Sequence, residues 1–248
     1  MTHLTLQEWT WIWIGLALVS CAWLFIQTAP YGRHGRDGWG PRLPHRAGWI
    51  VMESVSPVVL TVVAVGSVDM STPVLFLLSL WILHYVYRAV IYPFRARWSG
   101  RQMPLVIMLS AVFFNTVNGG LNGLGMSLIA EDGFWTANTT WFGAALFFIG
   151  LSINLRADQT LFGLRKPGES GYRIPEGGMY RWISCPNYFG EIIEWIGFAL
   201  MASTLPAISF AVWTAANLIP RAISHHKWYK ERFPHYPAER RALVPFLL

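Results

Sequence analysis

The sequence predicts an all-α integral membrane protein with seven transmembrane helices, its N-terminus outside and its C-terminus cytoplasmic, and three observations carry that prediction. The 248 residues are 54% hydrophobic and only 13% charged, with 14 Trp, a balance that a water-soluble core does not need. The apolar residues gather in runs long enough to cross a bilayer. The cations sort to alternate connections, as Lys and Arg near span ends do when they face the cytoplasm. A formal net charge of +6 invites a nucleic-acid reading, but the apolar runs argue against nucleic acid and membrane topology accounts for the cations.

The first run, Trp9 to Ala29, lacks the basic start and small-residue cleavage pattern of a signal peptide, so it reads as a retained span. Residues 30–48 carry Arg33, Arg36, Arg42 and Arg46 among glycines and prolines and form a loop. A second span covers about 49–68, and a turn at 69–73 leads to a third span ending near Tyr92. Arg95, Arg97 and Arg101 mark the next basic loop. The fourth span runs from near Pro104 to near Ala130, and the fifth, beyond Glu131 and Asp132, covers about Trp141 to Leu155 and extends at either end. Residues 156–181 are the longest polar segment. Pro186 suits the first turn of the sixth helix, where its missing N–H costs nothing. After a turn at 203–207 the seventh span ends near 219–224, leaving a basic, aromatic tail. Loops one-two, three-four and five-six and the tail hold the Lys and Arg; the N-terminus and the other connections carry only Glu8, Asp69, Glu131 and Asp132. The chain reads as one membrane domain, with helices 1–3 in about 1–100 and helices 4–7 with the cytoplasmic loops in about 101–248.

Chemistry-bearing residues cluster by depth. In Ser184–Trp195, Asn187, Glu191 and Glu194 stand at i, i+4 and i+7, so one polar stripe enters an otherwise apolar helix. A carboxylate there needs a cation, a donor or water, and helix stapling through arginine is the plain alternative to a functional role. Glu53 lies about one turn inside the second span and Tyr85 about two turns inside the third, so the two can meet. Trp49 and Tyr92 suit an interfacial aromatic belt, whereas a glutamate within a span is a functional candidate by default. Asn115, Asn118 and Asn122 share a face of the fourth span with small residues nearby, which favours close helix packing over a cavity lining. No nucleotide fingerprint is read there, because such glycines must follow a strand. Asn154 and Asp158, then Arg221, His225, Tyr229 and Arg232, form further stripes facing the same side, joined by Arg165, Lys166, Tyr172, Arg173 and Arg181 of the long loop. Guanidinium groups with aromatic rings suit a phosphorylated, aromatic cofactor; attraction of the tail to anionic membrane lipid is the competing account. Cys21 and Cys185 supply neither a disulfide framework nor C-x-x-C spacing, and no metal is expected.

Three segments, Leu164–Glu169, Gly171–Gly178 and Asn187–Trp195, closely resemble the steroid 5α-reductase (3-oxo-5α-steroid 4-dehydrogenase) family, as do Arg221-Ala222, His225-His226, Tyr229, Tyr236-Pro237 and Ala242–Phe246. The resemblance spans nearly the whole chain and includes Glu53, His84-Tyr85 and Arg88. It implies an NADPH-dependent enzyme that reduces the C4–C5 double bond of a 3-oxo-Δ4-steroid, a steroid or related enone lipid being the substrate. By similarity, Trp49, Glu53 and Tyr85 would bind the substrate, with Glu53 and Tyr85 catalytic at its 3-keto oxygen. Asn154, Asp158, Arg165, Tyr172, Arg173, Asn187, Glu191, Arg221, His225 and Tyr229 would form the cofactor site. One departure stands in the loop after the third span, where relatives show Asn-Arg-Gly-Arg and this chain reads Trp98-Ser99-Gly100-Arg101, which bears on cofactor contacts from that loop. A monomer is expected, in the inner membrane of a bacterium or the endoplasmic reticulum of a eukaryote. Rival readings are a reductase of another sterol, an S-adenosylmethionine-dependent isoprenylcysteine or phospholipid methyltransferase, and a seven-span receptor or transporter. Glu53 with Tyr85 argues against the methyltransferase, and the one-sided set of arginine, asparagine and tyrosine argues against the last.

Overall fold

A computed structural model describes residues 4–98, 100–164, 169 and 171–248. Helix α1 (Leu6–Ile26) opens with a capping box, the Thr5 side chain accepting from the Glu8 N–H while Glu8 reaches back to the Thr5 N–H. Helix α2 (His45–Ser67) and helix α3 (Thr72–Tyr85) follow, and α3 continues through a π-helical turn, Val86–Ile91, into the single turn α4 (Tyr92–Arg95). Then come α5 (Leu105–Gly125), α6 (Asn138–Gly163), α7 (Pro186–Ala202) and α8 (Leu205–Arg232). Five of these stretches are long and apolar enough to cross a membrane: Leu6–Ile26, His45–Ser67, Thr72–Arg95, Leu105–Leu128 and Asn138–Gly163. The 17 residues of α7 and the 28 of α8 complete the bundle.

Two helix ends and one strand pair add to the sequence expectation. Helix α6 is extended at either end as expected, and its C-terminal end takes Arg156–Gly163 from the polar segment, while α8 continues to Arg232 beyond the expected span end near 219–224. In both places polar residues face the aqueous end of a helix that keeps its backbone hydrogen bonds after leaving the apolar zone. The helices are also not the whole fold, because Arg42–Pro44 (β1) pairs antiparallel with Gln102–Pro104 (β2), tying two basic connections together.

Small residues set how the helices cross. Gly143 and Gly150 of α6 face Gly197 and Gly190 of α7, and an added Cβ on any of the four would meet the other helix's backbone, at 2.6 Å from the Gly197 carbonyl for Gly143. Gly119 and Gly123 likewise lie against the α2 backbone near Ser56 and Leu60, which fits the packing expectation for the fourth span. Asn115 donates to the Met52 carbonyl at 2.7 Å across the same contact. The core between α2, α3, α6, α7 and α8 is aromatic, with Trp81, Trp195, Phe198 and Phe210 in mutual ring contact.

Candidate functional site

The connections before α2, after α4 and before α7 meet the end of α8 around a cavity of about 250 Å³. Among the described residues, six arginines line it, Arg33, Arg88, Arg97, Arg101, Arg173 and Arg221, against the single carboxylate of Glu191. Aromatic rings fill the remaining wall, among them Tyr31, Trp49, Tyr92, Trp98, Tyr172 and Tyr229.

Of the expected cofactor residues, Tyr172, Arg173, Asn187, Glu191, Arg221, His225 and Tyr229 line the cavity, as does Trp49. Asn154 and Asp158 do not. They stand behind the wall, where Asn154 Nδ2 donates to the Asn187 carbonyl at 3.1 Å and to Glu191 at 3.3 Å. Asp158 accepts from the Tyr87 hydroxyl at 3.1 Å and from Asn187 Nδ2 at 3.5 Å. Both therefore act on the cavity through α7. Arg165 lies outside the described residues. The one expected stripe on α7 divides, since Asn187 and Glu191 reach the cavity while Glu194 turns into the core and accepts from His84 Nδ1 at 2.8 Å. The partner of Glu194 is thus a histidine, not an arginine.

Glu53 and Tyr85 do not line this cavity. They lie on α2 and α3, Glu53 beside Arg88 and Tyr85 stacked on Trp81. Arg88 joins the two regions: it lines the cavity, its Nη2 is 3.8 Å from Glu53 Oε1, and its guanidinium lies 4.9 Å from the Trp49 ring and 5.1 Å from the Tyr92 ring. Trp49 Nε1 donates to the Arg88 carbonyl at 3.0 Å. Arg88 sits in the π-helical turn, an irregularity that recurs at functional sites and that periodicity in the sequence does not reveal.

Several wall residues escaped sequence reasoning. Arg33 enters a cage of Tyr229, Trp228 and Tyr172, 4.5, 5.1 and 5.6 Å from the three ring centres. Its Nη1 is buried with no hydrogen-bond partner among the described residues, so a strong donor stands unspent beside the cavity. Tyr31 lies 3.6 Å from the Arg221 guanidinium, which also donates to the Tyr188 hydroxyl at 3.2 Å. The loop where the chain departs from the family pattern still contributes, because Trp98 and Arg101 both line the wall and Arg101 lies 5.0 Å from the Tyr172 ring. Burial and the guanidinium groups of Arg221 and Arg33 push the His34 imidazole down to about 4. Burial pushes the Cys185 thiol up to about 12, although Arg33 and Arg221 act in the opposite direction. The arrangement suits an anionic ligand with flat rings. Cations meet phosphate oxygens through forked N–H groups, and tyrosine and tryptophan faces accept ring systems.

A bundle of membrane-crossing helices holding a cationic, aromatic cavity at one end defines a membrane enzyme with a polar ligand site. The family model for 3-oxo-5-alpha-steroid 4-dehydrogenase matches residues 101–248. The chain is 39% identical over 242 residues to 3-oxo-5-alpha-steroid 4-dehydrogenase 1 of Bos taurus, covering 94% of this chain and 93% of that protein. It is 39% identical over 238 residues to 3-oxo-5-alpha-steroid 4-dehydrogenase 2 of Homo sapiens, with 94% and 93% covered. It is also 39% identical over 233 residues to steroid 5-alpha-reductase DET2 of Arabidopsis thaliana, with 90% and 88% covered. The chain belongs to the 3-oxo-5-alpha-steroid 4-dehydrogenase family, whose members are oxidoreductases acting on a CH–CH bond.

Proposed function

We propose that the chain reduces the C4–C5 double bond of a 3-oxo-Δ4-steroid to the 5α-3-oxosteroid, with NADPH as reductant. The observation that carries this reading is the continuity from the arginine-lined cavity, through Arg88, to Glu53 and the buried Tyr85. The residues present fit the cofactor. Arg33, whose Nη1 is buried with no hydrogen-bond partner among the described residues, would hold its phosphates with Arg101, Arg173 and Arg221, and Tyr31, Trp98, Tyr172 and Tyr229 would face its rings. Asn187 and Glu191, held by Asn154 and Asp158, would supply hydrogen-bonding groups at the opposite wall. NADPH, when bound, supplies a hydride. Reduction of an enone drives charge onto its carbonyl oxygen, and donors fixed at that oxygen stabilise the charge as it develops. Tyr85 and Glu53, the latter in its protonated form, would be those donors, with Trp49 at the substrate's edge. Arg88 holds Glu53 in place and adds positive potential.

The membrane arrangement follows the charges. Seven spans, α7 and α8 included, would put the cavity and the basic connections in the cytoplasm, leaving Asp69, Glu131 and Asp132 outside. The cofactor would then enter from water and the steroid from lipid.

Incubating the purified protein with NADPH and a panel of 3-oxo-Δ4-steroids tests the reading. A product heavier by two hydrogens with 5α configuration is expected, with NADPH strongly preferred over NADH because the cations suit a 2′-phosphate. Absence of any reduced steroid across the panel would overturn the substrate class, and equal use of the two nucleotides would overturn the cofactor.

A further inference from the structure

The tail beyond α8 joins the cavity wall through a buried polar knot. Ser184, 4% exposed, lines the cavity one residue ahead of the α7 cap. Its Oγ lies 2.6 Å from His226 Nδ1 and 2.7 Å from the Tyr236 hydroxyl, and it donates to the Arg241 carbonyl at 3.1 Å. A hydroxyl has one proton and two acceptor positions. The carbonyl can only accept, so it takes the proton, and the His226 N–H and Tyr236 O–H fill the acceptor positions. Ser184 is fully satisfied. A serine whose proton is committed to a backbone carbonyl is not an activated nucleophile, even with a histidine this close.

The backbone reinforces the knot. The Ser184 N–H donates to the Arg241 carbonyl, and the Arg241 N–H to the Trp182 carbonyl, both at 2.8 Å. Arg240 Nη1 donates to the Pro175 carbonyl at 3.0 Å. Tyr236 then lies flat on Tyr229, with ring centres 5.2 Å apart and planes 9° from parallel, and the far partner of Tyr229 is Arg33. The knot therefore ties the start of α7, which carries Asn187 and Glu191, to the end of α8, which carries His225 and Tyr229.

We propose that Ser184, His226 and Tyr236 are positioning residues for the cofactor cavity, so that the C-terminal tail is a working part of the NADPH site. This rests on the cofactor reading above. Ser184→Ala removes the shared hydroxyl, Tyr236→Phe removes one donor while keeping the ring on Tyr229, and Ser184→Thr keeps the hydroxyl. NADPH affinity, the KM for NADPH and the steroid, and kcat at saturating NADPH are measured on each purified protein. Ser184→Ala and Tyr236→Phe should each weaken NADPH binding and raise its KM about tenfold, the scale of one buried hydrogen bond. Steroid KM and kcat should stay within about twofold, Ser184→Thr should bind NADPH nearly as the wild type does, and the double variant should lose little more than either single change. NADPH affinity within about twofold of wild type in Tyr236→Phe, or a loss confined to kcat, would overturn the proposal; Tyr236→Phe decides it even if Ser184→Ala does not fold. A wild-type protein that binds no NADPH would instead overturn the cofactor reading.

Discussion

At Tyr85 the proposed chemistry narrows to one hydroxyl. Tyr85→Phe keeps the ring in its packing against Trp81 and removes only that donor. Turnover should fall about 100-fold, the scale of losing one donor to a developing oxyanion, with NADPH affinity nearly unchanged. Glu53→Gln keeps the shape and an N–H donor but loses the acid, so turnover should drop while the cofactor still binds. Full activity of Tyr85→Phe together with a lowered melting temperature would reduce the pair to a helix anchor. Arg33 makes the contrasting case: Arg33→Ala should cost NADPH affinity about 10-fold or more through a lost charge-assisted contact and leave kcat at saturation near normal. Steroid KM measured alongside separates the two outcomes. Cys185 supplies a pH test. A thiol at about 12 keeps its proton throughout the neutral range, and only the thiolate is nucleophilic, so alkylation of Cys185 in the folded protein should be slow at pH 7–8 and rise about tenfold with each pH unit above that. Rapid labelling of its peptide at pH 7 would contradict the burial. These residues differ in how far the sequence exposed them. Asn187, Glu191, Arg221, His225 and Tyr229 were legible because helical spacing and family motifs both mark them. Arg33 was not, because its cage is assembled from rings nearly 140 and 200 positions away.

The crossing of α6 and α7 is the element on which the site's geometry depends. Gly143, Gly150, Gly190 and Gly197 let the two backbones touch, and this contact sets Asn154 against Asn187 and Glu191. Gly150→Ala puts a methyl group against the Glu194 N–H and the Gly190 carbonyl, backbone atoms that cannot give way unless the helices separate. The cost should be about 1–3 kcal/mol, seen as a fall of roughly 5 °C in melting temperature, and NADPH affinity should drop with it. Gly120→Ala, where nothing lies within 4 Å, is the matched control and should change neither. Equal melting temperatures for the two variants would contradict the close approach. Spans one to four were readable as apolar runs because lipid demands them. The ends of α6 at Gly163 and of α8 at Arg232 were not readable from hydropathy, which marks where a helix leaves the membrane and not where its hydrogen bonds stop; only the helical spacing of Asn154 with Asp158 and of Arg221 through Arg232 pointed beyond it. The β1–β2 ladder was hidden for another reason, as three residues in each strand are too few to show alternation.

Across the whole molecule the basic connections meet around one cavity, while the turns carrying Asp69, Glu131 and Asp132 belong to the other connections. A tag after Leu248 should therefore be reached from the cytoplasm and a tag before Met1 from outside, and labelling in the reverse sense would displace the cofactor cavity to the wrong compartment. The alternation of charge was the most legible global feature, because topology is written in loop composition, whereas the depth order of cavity, Arg88 and Glu53 needs three dimensions. Helix α7 has only 17 residues, so at about 1.5 Å per residue it reaches roughly 25 Å, short of a hydrocarbon core of about 30 Å. In the seven-span arrangement proposed above, such a segment would make the surrounding lipid thin, or draw the headgroup layer inward toward the end where Glu191 stands. Bilayer thickness would thereby become a control on the enzyme: in vesicles of graded acyl length, turnover should peak in the thinner membranes and decline as longer chains stretch the mismatch.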